Sequence, residues 1–210
     1  MKKKNKAGFT LVEVLVVLGI FTLAFGLSFA ALSTSRLSAN INEAQIQAQE
    51  LARRALQQIT NELRSASPTR VQLFNGLLPQ ANRLSGNVVF FQVPLETPAG
   101  DLNLTAAGDL QWGSKDVAAG YTANQWISYS AELIDPNDPN SGWQLVKRTH
   151  PSPGGAVLST QIICRHISDL DFTRTSPTDP EITVQLVSTV DSNVAPLQQT
   201  LRTRILLRNQ

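Results

Sequence analysis

The chain has a single cysteine, Cys164, so an internal disulfide is excluded and the core must be held by packing alone. Its neighbours, Val157-Leu158-Ser159-Thr160-Gln161-Ile162-Ile163, are largely apolar, which predicts a buried, inert thiol rather than a nucleophile. Catalytic signatures are lacking as well. There is no G-x-S-x-G, no H-E-x-x-H, no C-x-x-C and no phosphate-binding glycine loop. His150 and His166 are the only histidines, and their placement has no metal-ligand spacing; both are expected to be ordinary surface or core residues. No enzymatic activity and no cofactor are expected. Internal repeats and low-complexity tracts are not evident. Proline and glycine are missing from Leu27 to Ala66, so nothing interrupts a helix there, and Pro68 stands just beyond as a stop.

Charge is absent from Val14 to Leu32, where the chain reads VLVVLGIFTLAFGLSFAAL. About 19 helical residues at roughly 1.5 Å each cover close to 30 Å, the thickness of a bilayer core. Ahead of this run stand Lys2, Lys3, Lys4 and Lys6. The positive-inside rule keeps them cytoplasmic and sends everything after Leu32 to the other side. These lysines also account for the formal charge of +2. Without them the count is 14 basic against 16 acidic side chains, a balance of −2, so no nucleic-acid partner is indicated.

One residue does not fit a plain anchor. Glu13 sits at the edge of the apolar run, and a carboxylate inside such a run costs roughly 2.5–3.5 kcal/mol on insertion scales. No lysine or arginine within the span can pair with it. A cut between Gly8 and Phe9 would create an α-amino group one helical turn away, and that amine, on the same or a neighbouring chain, is the obvious counter-ion.

Beyond Leu32, Leu37, Ile41, Ala44, Ala48, Leu51, Ala55, Ile59 and Leu63 recur at three- and four-residue intervals. The spacing predicts one helix from Phe9 to about Ser65, on the order of 85 Å long, apolar all round in its first half and striped in its second. The remainder reads as strands: 71–74, 88–93, 126–134, 143–149, 157–165, 167–174, 182–190 and 200–207. Turn formers separate them at 135–142, 151–155 and 176–180. The expected fold is α+β, a long N-terminal helix packed on an antiparallel β-sheet domain. Residues 94–124 carry few strand signals and are expected to form a long, irregular insertion with a short element around Leu110-Trp112, a candidate contact surface. The expected divisions are 1–8 (leader), 9–32 (membrane half of the helix), 33–66 (amphipathic half) and 67–210 (β-rich domain).

Lys-Ala-Gly8-Phe9-Thr10-Leu11-Val12-Glu13, followed by the apolar helix, resembles the N-terminal processing and methylation motif of type IV prepilins and type II secretion pseudopilins. The resemblance implies a pilin-like fold and a prepilin peptidase that cuts after Gly8, with N-methylation of Phe9. It further implies residence in the inner membrane with a periplasmic domain, then entry into a filament of sibling subunits. In that setting Glu13 neutralises a neighbour's N-terminus. The order Ile59-Thr60-Asn61-Glu62-Leu63-Arg64, Ile127-Ser128-Tyr129-Ser130, Ile167-Ser168-Asp169-Leu170-Asp171-Phe172 and Leu201–Asn209 is similar to the larger minor pseudopilins of J type, and to related minor type IV pilins. The K-type tip subunit lacks the helix glutamate, so Glu13 argues against that type.

Two other readings of the N-terminus stay open. A secretory signal peptide cut near Ser28-Phe29-Ala30 would release a soluble β-rich binding module. A plain uncleaved anchor would leave Gly8 and Glu13 without a reason. Elsewhere, Asp135 and Asp138, with Asn137 and Asn140, supply oxygen ligands that a calcium ion could use; two prolines and the lack of a distal glutamate favour a plain turn. Major pseudopilins bind calcium, but this loop does not match their site. Glu62 and Arg64 are expected to form solvated or intersubunit pairs. Gly19 and Gly26 either allow close helix approach or are simply tolerated in a membrane span.

Overall fold

The computed structural model describes residues 10–75, 85–116, 120–190 and 196–208. Helix α1 (Leu11–Arg64) is unbroken over 54 residues. Compactness divides the chain into two units, one ending at Glu43 and one starting at Ala44.

In the first unit, Thr10 caps the helix. Its Oγ1 accepts the Glu13 N–H at 3.3 Å and its carbonyl accepts the Val14 N–H at 3.2 Å. Large apolar side chains from Leu11 to Leu32 are all exposed, between 47% for Val14 and 77% for Leu11. Three hydroxyls of this unit turn back on their own helix: Thr22 donates to the Leu18 carbonyl, and Ser33 and Thr34 donate to that of Ala30 at 2.8 and 2.9 Å. Side chains satisfied in this way need no water, as a hydrocarbon environment demands.

In the second unit the helix buries Ala48, Ala52, Ala55, Leu56, Ile59 and Leu63. The spacing is that of one helical face. Three alanines on it let strands approach closely, and Ser188 Oγ donates to the Ala48 carbonyl at 3.0 Å in a buried contact. The helix ends by tightening: the Ala66 N–H donates to the Leu63 carbonyl at 2.9 Å, and the short 3-10 turn Pro68–Arg70 follows.

Among the described residues twelve strands follow in chain order: β1 (Val71–Phe74), β2 (Ser85–Gly86), β3 (Val88–Phe91), β4 (Val93–Pro94), β5 (Trp112–Asp116), β6 (Gly120–Ala123), β7 (Trp126–Leu133), β8 (Trp143–His150), β9 (Ser159–Arg165), β10 (Ile167–Thr173), β11 (Glu181–Val190) and β12 (Leu197–Leu206). They form antiparallel sheets in the orders β1-β3-β7-β8-β9, β12-β11-β10-β2 and β4-β5-β6. Alternation sends Val89, Phe91, Ile127, Tyr129 and Leu145 from the first sheet into the core beside the buried helix face. Ile182, Val184, Leu186 and Ile205 enter the same core from the second. All eight expected strands are present, with ends shifted by up to three residues, and the 135–142 loop joins β7 to β8, where Leu133 pairs with Trp143. The α+β architecture of a long helix packed on antiparallel sheets is therefore as the sequence predicts.

The 94–124 segment differs from the expectation. Its described residues, 94–116 and 120–124, form the third sheet and a repeat absent from the expectation. Thr97-Pro98-Ala99-Gly100-Asp101 and Thr105-Ala106-Ala107-Gly108-Asp109 fold into the same turn, with Gly100 and Gly108 at φ near +88° and +87°. In each, the threonine N–H donates to the aspartate carbonyl at 2.7 Å and the threonine Oγ1 accepts the aspartate N–H, at 3.2 and 3.1 Å. Eight residues apart, Leu95, Asn103 and Gln111 close a ring of backbone bonds: Asn103 donates to Leu95, Gln111 to Asn103 and Leu95 to Gln111, at 2.8–2.9 Å. Strand β2 was also missed. It is two residues long and depends on Gly86, whose absent Cβ would lie 2.2 Å from the Phe74 carbonyl oxygen.

Candidate functional site: the helix start and its neighbours

Gly8, Phe9 and the leader lysines lie outside the described residues. Glu13 stands in the first turn of α1, exposed, three residues after the Thr10 cap. Thr-x-x-Glu is the pattern of a capping box, and the helix N-terminus stabilises a carboxylate there by about 0.3–1 kcal/mol. Beside the amine expected as the partner of Glu13, the helix end itself supplies part of that role. Apart from their own chain neighbours and the adjacent helix backbone, nothing lies within 4 Å of where a Cβ would sit at Gly19 or Gly26, so both leave a flat spot on the exposed apolar surface.

The polar residues at the far end of α1 behave differently from expectation. Glu62 is paired within the chain. Its Oε1 accepts from Lys147 Nζ at 2.8 Å, and the same ammonium donates to the Lys115 carbonyl at 2.9 Å. Lys147 is buried because it shares a face of β8 with Leu145, the face that meets the helix. A lysine two residues after a core leucine was the available signal. Tyr129 lies in the same region, and burial, reinforced by the Glu62 carboxylate, pushes its hydroxyl pKa well above the usual range. Arg64 remains exposed and, with Arg208, lines an open cavity of about 540 Å³.

Of the two histidines, His150 is a core residue. Its Nδ1 is 2.9 Å from the Gly155 carbonyl, which can only accept, so Nδ1 carries a proton; in the neutral ring Ser128 Oγ then donates to Nε2, also at 2.9 Å. Ser128 and His150 are 2% and 3% exposed, and the group that orients the imidazole is a backbone carbonyl. The pair ties β7, β8 and the following loop together. His166 is exposed at the corner between β9 and β10, in the left-handed region at φ 66°. Cys164 is half-buried, and burial pushes its thiol up to about 11.

Asp135 and Asp138 each accept a backbone N–H two residues on, from Asn137 and Asn140, both at 2.9 Å. Their carboxylates thus build consecutive Asx turns. Among the described residues no group of three or more His, Cys, Asp or Glu is placed to hold a metal ion.

Residues 3–29 match the family model described as the prokaryotic N-terminal methylation motif, which supports a type IV prepilin-like protein. The matched stretch contains Gly8, Phe9 and Glu13 and runs into the exposed apolar half of α1, which is long and apolar enough to cross a membrane. No curated protein and no solved structure matches the chain.

Proposed function

We propose that this chain is a minor pseudopilin, nearest the J type, and serves as a structural subunit at the tip of a type II secretion pseudopilus. The observation that carries the reading is the methylation motif at residues 3–29 leading into a helix with apolar side chains exposed on every side. Such a surface calls for lipid first and sibling helices afterwards.

In this reading the lysines hold residues 1–8 at the cytoplasmic side of the inner membrane while the β-rich domain is periplasmic. Prepilin peptidase cuts between Gly8 and Phe9, and the new amino terminus is N-methylated. Glu13 then meets the N-terminal amine of a neighbouring subunit. The magnitudes favour such a partner. A carboxylate at the centre of a membrane helix costs roughly 2.5–3.5 kcal/mol, less at the edge where Glu13 sits, and the helix terminus returns about 0.3–1 kcal/mol. Whatever cost the helix end leaves uncompensated is what an amine in the filament would supply.

Mass spectrometry of the mature chain tests the cut: a start at N-methylated Phe9 is expected, whereas a start near Ala31 would identify a secreted soluble module. Gly8→Leu should block maturation. Glu13→Ala should be processed normally yet fail to enter filaments, and normal incorporation would reject the ion pair. A minor type IV pilin, acting in pilus assembly, adhesion or DNA uptake, shares the same motif and helix. Deleting the gene separates the two: loss of exported enzymes supports the pseudopilus, loss of surface pili or of DNA uptake the pilus.

A further inference from the structure

Beside the third sheet lies a cavity of about 340 Å³ whose walls include Arg70, Gln92, Asp109, Gln111, Trp112 and Asn124. Its groups are held in place. Gln92 is buried, with its Nε2 donating to the Gln125 carbonyl at 3.2 Å and its Oε1 accepting from Arg70 Nη1 at 3.3 Å. The Arg70 guanidinium lies 5.9 Å from the centre of the Trp112 ring. Asn124 is left-handed at φ 61°, and its N–H donates to the Trp112 carbonyl at 2.9 Å. Asp109 is presented by the second repeat turn, where Thr105 takes up its backbone N–H.

The chemistry of this wall is selective. Guanidinium and carboxamide groups donate, while the Asp109 carboxylate and the amide oxygens accept. One positive and one negative side chain offset each other. An anion would meet Asp109, a cation would meet Arg70, and an apolar ligand would strand the polar groups without water. A ring of hydroxyls, each both donor and acceptor, with apolar C–H groups for Leu110, Ala123 and the part of the Trp112 indole that Arg70 leaves uncovered, matches this lining. We propose that this cavity binds one neutral pyranose residue of a glycan. The inference is independent of which filament the chain belongs to.

The test uses the full mature chain in an amine-oxide detergent, because maltoside detergents carry sugar. Methyl glycosides of glucose, galactose, mannose and N-acetylglucosamine are titrated while the Trp112 indole N–H is followed by NMR. At least one should give a saturable shift with a dissociation constant on the order of 1 mM. Asp109→Asn, on an exposed turn, should weaken it about tenfold, as should Trp112→Ala, while Trp143→Ala should leave it unchanged. Because Trp112→Ala removes the reporter, its binding is read by saturation transfer to the glycoside. No saturable response to any of the four glycosides overturns the proposal. So does binding that Asp109→Asn leaves intact. A shift produced by inorganic phosphate alone, and abolished by Arg70→Gln, would replace it with an anion site.

Discussion

At Lys147 the first sheet directs a charge towards the helix, and Glu62 answers it at 2.8 Å. The two partners are unequally buried: the Lys147 side chain is 4% exposed and that of Glu62 is 22% exposed. Removing Glu62 therefore strands an ammonium with little access to water, and removing Lys147 strands a carboxylate whose Oε2 is already buried. Glu62→Gln and Lys147→Met are each expected to cost about 3 kcal/mol. The double change to Leu and Met should fall within about 1 kcal/mol of the parent, since an apolar pair avoids desolvation altogether. Denaturant titrations of the four proteins check the order. Cys164 gives a pH-dependent prediction. With its thiol near 11, the reactive thiolate is scarce at pH 8, and alkylation of the folded chain should run at least about a hundredfold slower than after unfolding. The folded thiol is held protonated, so its contribution to stability is complete below the ordinary thiol range and is lost as pH rises from there through about 11.

At the level of elements, α1 and the sheets meet through alanines. Ala52 is fully buried, and Ala52→Leu should destabilise by about 1–3 kcal/mol through overpacking, while Gln57→Leu on the exposed face should be nearly neutral; thermal unfolding separates them. Gly86→Ala should break the β2–β10 pairing, seen as lost amide protection at only one of the consecutive residues Phe172 and Thr173, the one whose N–H faces β2 rather than β11, because the clash is with backbone and cannot be relieved by a rotamer. Much of this architecture was legible in the sequence. Period and breakers give the helix and its stop, and Ala48, Ala55, Ile59 and Leu63 were expected on the buried stripe. Ala52 and Leu56 were not, because the buried face is wider than the single row that the spacing picks out. The strands β7 to β12 are long enough to show β-branched runs. By contrast β5, reading WGSKD, and β6, reading GYTA, are short and polar and owe their existence to pairing with each other. Of the helix-start residues, Glu13 stood out because an acid in an apolar run is costly. The Arg70–Trp112 cavity did not, since its walls come from segments up to 54 residues apart that only the fold brings together.

For the molecule as a whole, the exposed apolar half of α1 sets its behaviour in solution. A surface of this kind greatly exceeds the few hundred Å² that monomeric soluble proteins leave uncovered. The chain should sediment as one species in detergent and associate when detergent is removed, which analytical ultracentrifugation will show. A different constraint acts on chain length. The bonds among Leu95, Asn103 and Gln111 return to their starting point, so the segment works as a counter: three corners joined by two spans of equal size. Losing one span, or copying it once more, would leave a corner without its mate and separate the ends that feed β4 and β5. Inserted sequence can accumulate at the tips, beyond Gly100 and Gly108, but the number of spans is fixed at two.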